Sequence, residues 1–131
     1  MRITGGSLKG RRVRVPERKG LRPTSARVRE AVFHRLASDL QDADVLDVFG
    51  GSGVLSLEAW SRGAARVVCV ERDPVAVRAI RGNVSALGAE VEVRRGDARR
   101  LDNARYDLVF ADPPYADDPT VWANRLSASV R

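Results

Sequence analysis

From about residue 43 the chain alternates between two rhythms of apolar and polar positions. Four short runs, Val45 to Phe49, Arg66 to Glu71, Glu90 to Arg94 and Tyr106 to Ala111, have the length and β-branched content of strands. Between them stand segments with apolar residues at helical spacing. One begins at Val54 and stops near Arg62, where Gly63 follows. The next has Asp73 as N-cap, Pro74 in its first turn and Gly88 beyond its end, the usual asymmetry of helix caps. Ahead of these, Thr24 or Ser25 can cap a helix whose apolar face is Val28, Val32, Phe33, Leu36 and Leu40. Residues 1 to 23, punctuated by Gly5, Gly6, Gly10, Pro16, Gly20 and Pro23, read as extended or looped. Strand–helix–strand spacing of this kind predicts βαβ units: an α/β fold with a parallel sheet, helices on both faces, and doubly wound strand order 3-2-1-4.

Composition narrows this picture. At 131 residues, with 44% hydrophobic and 31% charged residues, the chain is expected to fold as one ordinary globular body. The single cysteine, Cys69, rules out an internal disulfide and a cysteine zinc cluster, and reads as a buried strand thiol. His34 has no second histidine to share a metal with, so no metal site is expected. No apolar stretch approaches the ~20 residues of a membrane span, and the N-terminus lacks the apolar core of a leader. The expectation is a cytoplasmic protein with no membrane partner.

Charge changes the picture more. Eleven of the 23 Lys and Arg residues fall within the first 35 positions, against only Glu17 and Glu30, while the rest of the chain is slightly acidic. The natural division is a basic N-terminal arm over 1–23 and a body over 24–131. Such an arm suits a polyanion, because each neutralised phosphate releases counterions. Lys9, Arg11, Arg12, Arg14 and Arg22 are the candidate phosphate contacts.

The candidate chemistry falls on one edge. In a parallel α/β sheet, ligands bind outside the carboxyl ends of the strands. The first strand leads into "LDVFGGSG" (46–53), the second ends in Glu71, the third is followed by Gly96-Asp97-Ala98, and the fourth by Asp112-Pro113-Pro114-Tyr115. Gly51 and Gly53 permit a tight turn and close approach of backbone to a ligand. Glu71 can accept from both hydroxyls of a ribose. Asp97 can accept from the exocyclic amine of an adenine, and the Ala98 N–H can reach a ring nitrogen. Singly these are weak signals; jointly they describe a nucleoside crevice. NAD is one candidate, since Gly51-Ser-Gly53 with an acid about 20 residues on approaches the dinucleotide fingerprint. Asp47, inside the strand beneath the loop, argues against a pyrophosphate there and suits a cationic amino-acid moiety better. A phosphate-binding Walker loop fails for want of Gly-Lys-Ser/Thr.

An exocyclic amine on a nucleobase is a poor nucleophile, because its lone pair is delocalised into the ring. The Asp112 carboxylate and the Pro113 carbonyl could hydrogen-bond its two N–H groups and favour a more pyramidal nitrogen. Pro113 and Pro114 fix φ and hold those acceptors at little entropic cost. Tyr115 offers a ring for a base removed from its stack.

These motifs resemble those of class I S-adenosyl-L-methionine-dependent methyltransferases acting on exocyclic amines, with a Rossmann-like fold. "RITGGSLKGRRVRVP", "LRPTSARVREAVF" and "SLEAWSRGA" resemble one family more closely, the bacterial small-subunit (16S) ribosomal RNA guanine-N2 methyltransferases. The resemblance runs from Arg2 to about Asp117. It implies that Asp47, Phe49, Gly51 and Gly53 border the methionine part of the cofactor, that Glu71 binds its ribose, and that Asp97 and Ala98 bind its adenine. Asp112 to Tyr115 would hold the guanine, and Thr24, Arg27 and Glu30 match an N-terminal element beside the cofactor. The implied partner is ribosomal RNA or the small-subunit ribonucleoprotein. Two positions depart from the family's habit: Gly50 stands where Ala or Cys is usual, and Ser56 where glycine is common. Relatives also continue past the DPPY loop with three further strands and helices, so the fourth strand is expected to be an uncovered sheet edge through which the chain dimerises or aggregates; in a stable monomer, a helix-like stretch over 119–130 would instead fold back over it. The alternatives are a DNA amino-methyltransferase and, from another class, a nucleic-acid-binding domain with a vestigial cofactor site.

Overall fold

The computed structural model describes residues 1–15, 25–48, 50–97 and 105–111. In chain order the elements are α1 (Ala26–Arg35), α2 (Ala37–Leu40), β1 (Asp44–Val48), α3 (Val54–Ser61), β2 (Arg66–Glu71), α4 (Pro74–Leu87), β3 (Val91–Arg95) and β4 (Leu108–Ala111). The strands form one parallel sheet in the order β3-β2-β1-β4, the order expected of the doubly wound pattern. Val45 of β1 stands opposite Val67 of β2 on one side and Leu108 of β4 on the other.

The caps explain where the helices begin and end. The Asp73 carboxylate accepts the Val75 N–H at 3.1 Å, and Gly88 ends α4 in a left-handed conformation with φ 64°. The Ser25 hydroxyl accepts the Val28 N–H at 3.3 Å to start α1. Alternation along the strands sorts the sheet into two faces. Val45, Val67, Cys69 and Val91 join Phe33, Leu57, Ile80 and Leu87 in one buried cluster. Leu46, Val48, Val68, Val70 and Tyr106 form a second on the other face. Among the described residues, the helices contribute only to the first cluster.

One expectation, the apolar face of the first helix, is corrected. The buried side of α1 is Arg29 and Phe33, whereas Val28 and Val32 are 50% and 41% exposed. A guanidinium takes the inward position because a buried carboxylate awaits it, so an apolar count points to the wrong side of the helix. The helix also breaks at Leu36, before α2. The described part of the N-terminal stretch, residues 1–15, lies docked against the body. Ile3 donates to the Arg11 carbonyl and Val13 to the Met1 carbonyl, with an antiparallel bridge between Arg2 and Arg12. Ile3, Leu8 and Val13 are buried in the helix-side cluster. This docked ribbon, residues 1–15, is called the strap below.

Candidate functional site

The loop after β1 is shaped by its glycines. Gly50 donates to the Val70 carbonyl at 3.1 Å and Gly53 to the Gly50 carbonyl at 2.8 Å. Gly51 and Gly53 have φ 59° and 81°, where any other residue is strained by about 1–2 kcal/mol. A Cβ on Gly53 would also lie 2.9 Å from Ile80 Cγ2. The loop therefore turns tightly into the first turn of α3, where the Ser52 hydroxyl accepts the Val54 N–H at 3.3 Å.

Glu71, at the tip of β2, braces this loop. Its Oε1 accepts the Gly51 N–H at 3.2 Å and its Oε2 accepts the Asp73 N–H at 2.7 Å. A carboxylate has about four acceptor positions, so each oxygen keeps capacity for a further donor such as a hydroxyl. Beside it, the Gly96 N–H donates to the Glu71 carbonyl at 3.0 Å, which brings the half-buried Asp97 to the same edge. Ala111, the last residue of β4, pairs with Val48 and so ends level with the glycine loop.

Asp47 lies beneath the loop, 1% exposed. Its Oδ2 accepts the Ser56 hydroxyl at 2.6 Å and the Cys69 thiol at 3.9 Å. Burial pushes the Cys69 thiol well above its ordinary range, and the negative charge of Asp47 adds to this, while the Ser56 hydrogen bond partly opposes it. Cys69 is thus a protonated core thiol and not a nucleophile.

Of the residues singled out from sequence, Asp47, Gly51, Gly53, Glu71 and Asp97 gather on one edge of the sheet. Thr24, Arg22, Phe49, Ala98, Asp112, Pro113, Pro114 and Tyr115, with the stretch 119–130, lie outside the described residues. Arg27 and Glu30 are exposed on α1, and among the described residues no hydrogen bond joins them to the edge. The side chains of Lys9, Arg11, Arg12 and Arg14 are exposed on a backbone that is held in place.

Sequence reasoning missed what holds it. Glu58, fully buried in α3, accepts the Thr4 N–H at 2.6 Å and the Thr4 hydroxyl at 2.8 Å, and pairs with Arg29 at 3.8 Å and Arg62 at 3.2 Å. Arg29 also donates to the Arg2 carbonyl at 2.6 Å. The Ser61 hydroxyl accepts the Leu8 N–H at 2.8 Å and donates to the Gly5 carbonyl at 2.6 Å. Asn83 of α4 accepts the Arg14 N–H at 3.0 Å and donates to the Arg14 carbonyl at 2.8 Å. The sequence does carry a signal for each anchor. Glu58 is the only charged residue of α3, four residues before Arg62. Asn83 is an amide on the stripe Ala76, Ile80, Leu87 that α4 buries.

The family described as "Conserved hypothetical protein 95" matches residues 1–128. The Escherichia coli (strain K12) "Ribosomal RNA small subunit methyltransferase D" is 39% identical over 125 residues, covering 88% of this chain and 60% of that protein. The protein of the same name from Buchnera aphidicola subsp. Acyrthosiphon pisum is 36% identical over 118 residues, covering 86% of this chain and 62% of its own length. The chain therefore spans about 60% of the length of these relatives. Among solved structures, a hypothetical protein of Thermus thermophilus superimposes with a TM-score of 0.88 at 34% identity, over 100% of this chain and 80% of that one.

Proposed function

The chain belongs to the family described as Conserved hypothetical protein 95, and from that premise we propose that it binds S-adenosyl-L-methionine at the carboxyl edge of its sheet and directs methyl transfer to the exocyclic N2 amine of a guanine in small-subunit ribosomal RNA. The observation that carries the reading is the Glu71 brace. A carboxylate at a strand tip is bonded to the backbone of a left-handed glycine turn, with acceptor capacity left on both oxygens for a vicinal diol. The geometry fits a nucleoside whose other end carries a cation, since Asp47 supplies negative charge beneath the loop.

When bound, the cofactor supplies an electrophilic methyl group on a sulfonium centre. The chain's own residues bind and orient. Glu71 accepts from the ribose, Asp97 accepts from the adenine amine, and the Ala98 N–H meets a ring nitrogen. Phe49, Gly51 and Gly53 border the methionine end, with Thr24, Arg27 and Glu30 as a further wall. Asp112 and the Pro113 carbonyl accept the two N–H groups of the guanine amine, and Pro114 stiffens that loop. Tyr115 stacks on the base. Asp112 need not be a strong base, because the amine becomes acidic only as it is alkylated, and positioning supplies most of the acceleration. Lys9, Arg11, Arg12, Arg14 and Arg22 contact phosphates, and cytoplasmic ribosomal RNA is the partner. No helix among the described residues is long and apolar enough to cross a membrane.

Calorimetric titration of the 131-residue chain with S-adenosyl-homocysteine tests the cofactor assignment. Glu71→Ala should weaken binding by about 1.5–3 kcal/mol, the range for hydrogen bonds to a charged group, with the far-ultraviolet dichroism unchanged. Unchanged affinity would sink the ribose role. Tighter binding of NAD than of S-adenosyl-homocysteine would sink the cofactor.

A further inference from the structure

The strap and the glycine loop meet at one side chain. Asn83, 4% exposed, pairs with Arg14 in both directions, accepting its N–H at 3.0 Å and donating to its carbonyl at 2.8 Å. The same amide nitrogen reaches the Ser52 carbonyl at 3.5 Å. With two donor hydrogens and one carbonyl, the amide has a partner in each role. Ser52 lies between the two left-handed glycines, and its hydroxyl stands 3.8 Å from Met1 Sδ at the strap's own beginning. Arg14 closes the run of exposed cations formed by Lys9, Arg11 and Arg12.

We propose that Asn83 is a positioning residue that couples occupancy of the glycine loop to the docking of a phosphate backbone on the strap. An amide is a rigid plane, so its bonds to Arg14 and to Ser52 cannot be adjusted independently. A ligand seated on the loop limits where the Ser52 carbonyl can go. That limits the rotation of the Asn83 amide, which in turn fixes the Arg14 backbone and the cations beside it. Ordering the strap in this way removes part of the entropy that a polyanion would otherwise lose on binding. By linkage the effect runs equally in reverse. The identity of the loop's ligand rests on the cofactor reading given above; the coupling itself rests on the three contacts of Asn83.

The test uses the 131-residue chain, S-adenosyl-homocysteine and a short RNA hairpin. In the parent, saturating RNA should tighten S-adenosyl-homocysteine by about fivefold, the lower end of typical coupling. S-adenosyl-homocysteine alone should slow hydrogen exchange at the Arg14 amide. In Asn83→Ala each ligand should still bind alone, while the ratio falls to one and Arg14 exchange stops responding. Asn83→Asp keeps an acceptor for the Arg14 N–H but loses the amide nitrogen that donates to both the Arg14 and the Ser52 carbonyls, so it should also lose the coupling even if the alanine variant proves unstable. Equal affinity with and without RNA in the parent overturns the coupling and leaves the cofactor site standing. Coupling that survives in both variants overturns the role of Asn83. A parent that binds RNA but not S-adenosyl-homocysteine overturns the cofactor reading, and the coupling falls with it.

Discussion

Glu58 and Asp47 are buried to the same degree, 0% and 1% exposed, on elements packed directly against each other, yet they serve different ends. Glu58 gathers partners from three places: Thr4 of the strap, Arg29 of α1 and Arg62 at the end of α3. Asp47 takes the Ser56 hydroxyl and the Cys69 thiol, both from elements that carry the glycine loop or stand beside it. Burial alone therefore does not say what a carboxylate is for. The addresses of its partners do. Glu58 fastens distant segments to one another, whereas Asp47 ties together the elements around the glycine loop.

The widest separation between the two should appear in a pair of substitutions. Glu58→Ala takes the buried carboxylate away from the Arg29 guanidinium and should cost about 3–5 kcal/mol in urea unfolding, the usual result of removing one partner of a buried pair. Affinity of the remaining folded protein for S-adenosyl-homocysteine should barely move. Asp47→Asn keeps an acceptor for Ser56, so its stability loss should be much smaller, while S-adenosyl-homocysteine should bind roughly tenfold more weakly, about 1.4 kcal/mol. A reversal of either pattern, with Glu58→Ala mild or Asp47→Asn silent in calorimetry, breaks the comparison.

A smaller effect sharpens the Asp47 side. A Cβ on Gly50 would fall 2.5 Å from Cys69 Sγ, and Gly50 needs no left-handed backbone. Gly50→Ala should thus cost about 1–3 kcal/mol through overpacking, and the same change in a Cys69→Ala background should cost much less, with Ile80 Cδ1 at 3.1 Å the tight neighbour that remains. A thermal-denaturation double-mutant cycle reads the difference, and additive costs would show that the thiol is not the obstacle. The thiol has a pH signature as well. Because its folded pKa is raised, its contribution is fully present below the unfolded value and declines as pH climbs past that value. Stability should fall on the alkaline side in the parent and less so in Cys69→Ala.

Much of the sheet was legible because its signals are local. Asp73, Pro74 and Gly88 announce both ends of α4, and the apolar runs mark β1 to β4 within a residue or two. Strand order followed from the doubly wound pattern of α/β sheets. The glycine loop, Glu71 and Asp97 were found because strand ends share an edge by topology. Other features could not be read so. Arg29 looks like a surface residue until Glu58 is known to face it from another helix. Ile3, Leu8 and Val13 are spaced five apart, a period of neither helix nor strand, so their burial follows only from the groove they fill. Asn83 sits on an apolar stripe, and its partners, Arg14 and Ser52, are 69 and 31 positions away. Long-range polar pairing leaves almost no trace in a local pattern.

The strap also sets an order in time. Its bonds to Glu58 and Asn83 close loops of 54 and 69 residues, and the Asp44–Asp107 contact beside β4 closes one of 63. By contrast, β1 and β2 pair across α3 alone. Loop-closure entropy grows with length, by about 0.6 kcal/mol per doubling, so β1, α3 and β2 can condense while the strap is still an open chain. The strap is thus among the last segments to find its place, and Ile3, Leu8 and Val13 remain wetted until α3 and α4 exist to cover them. In pulsed hydrogen exchange during refolding, amides of β1 and β2 should gain protection before those of Ile3 and Val13.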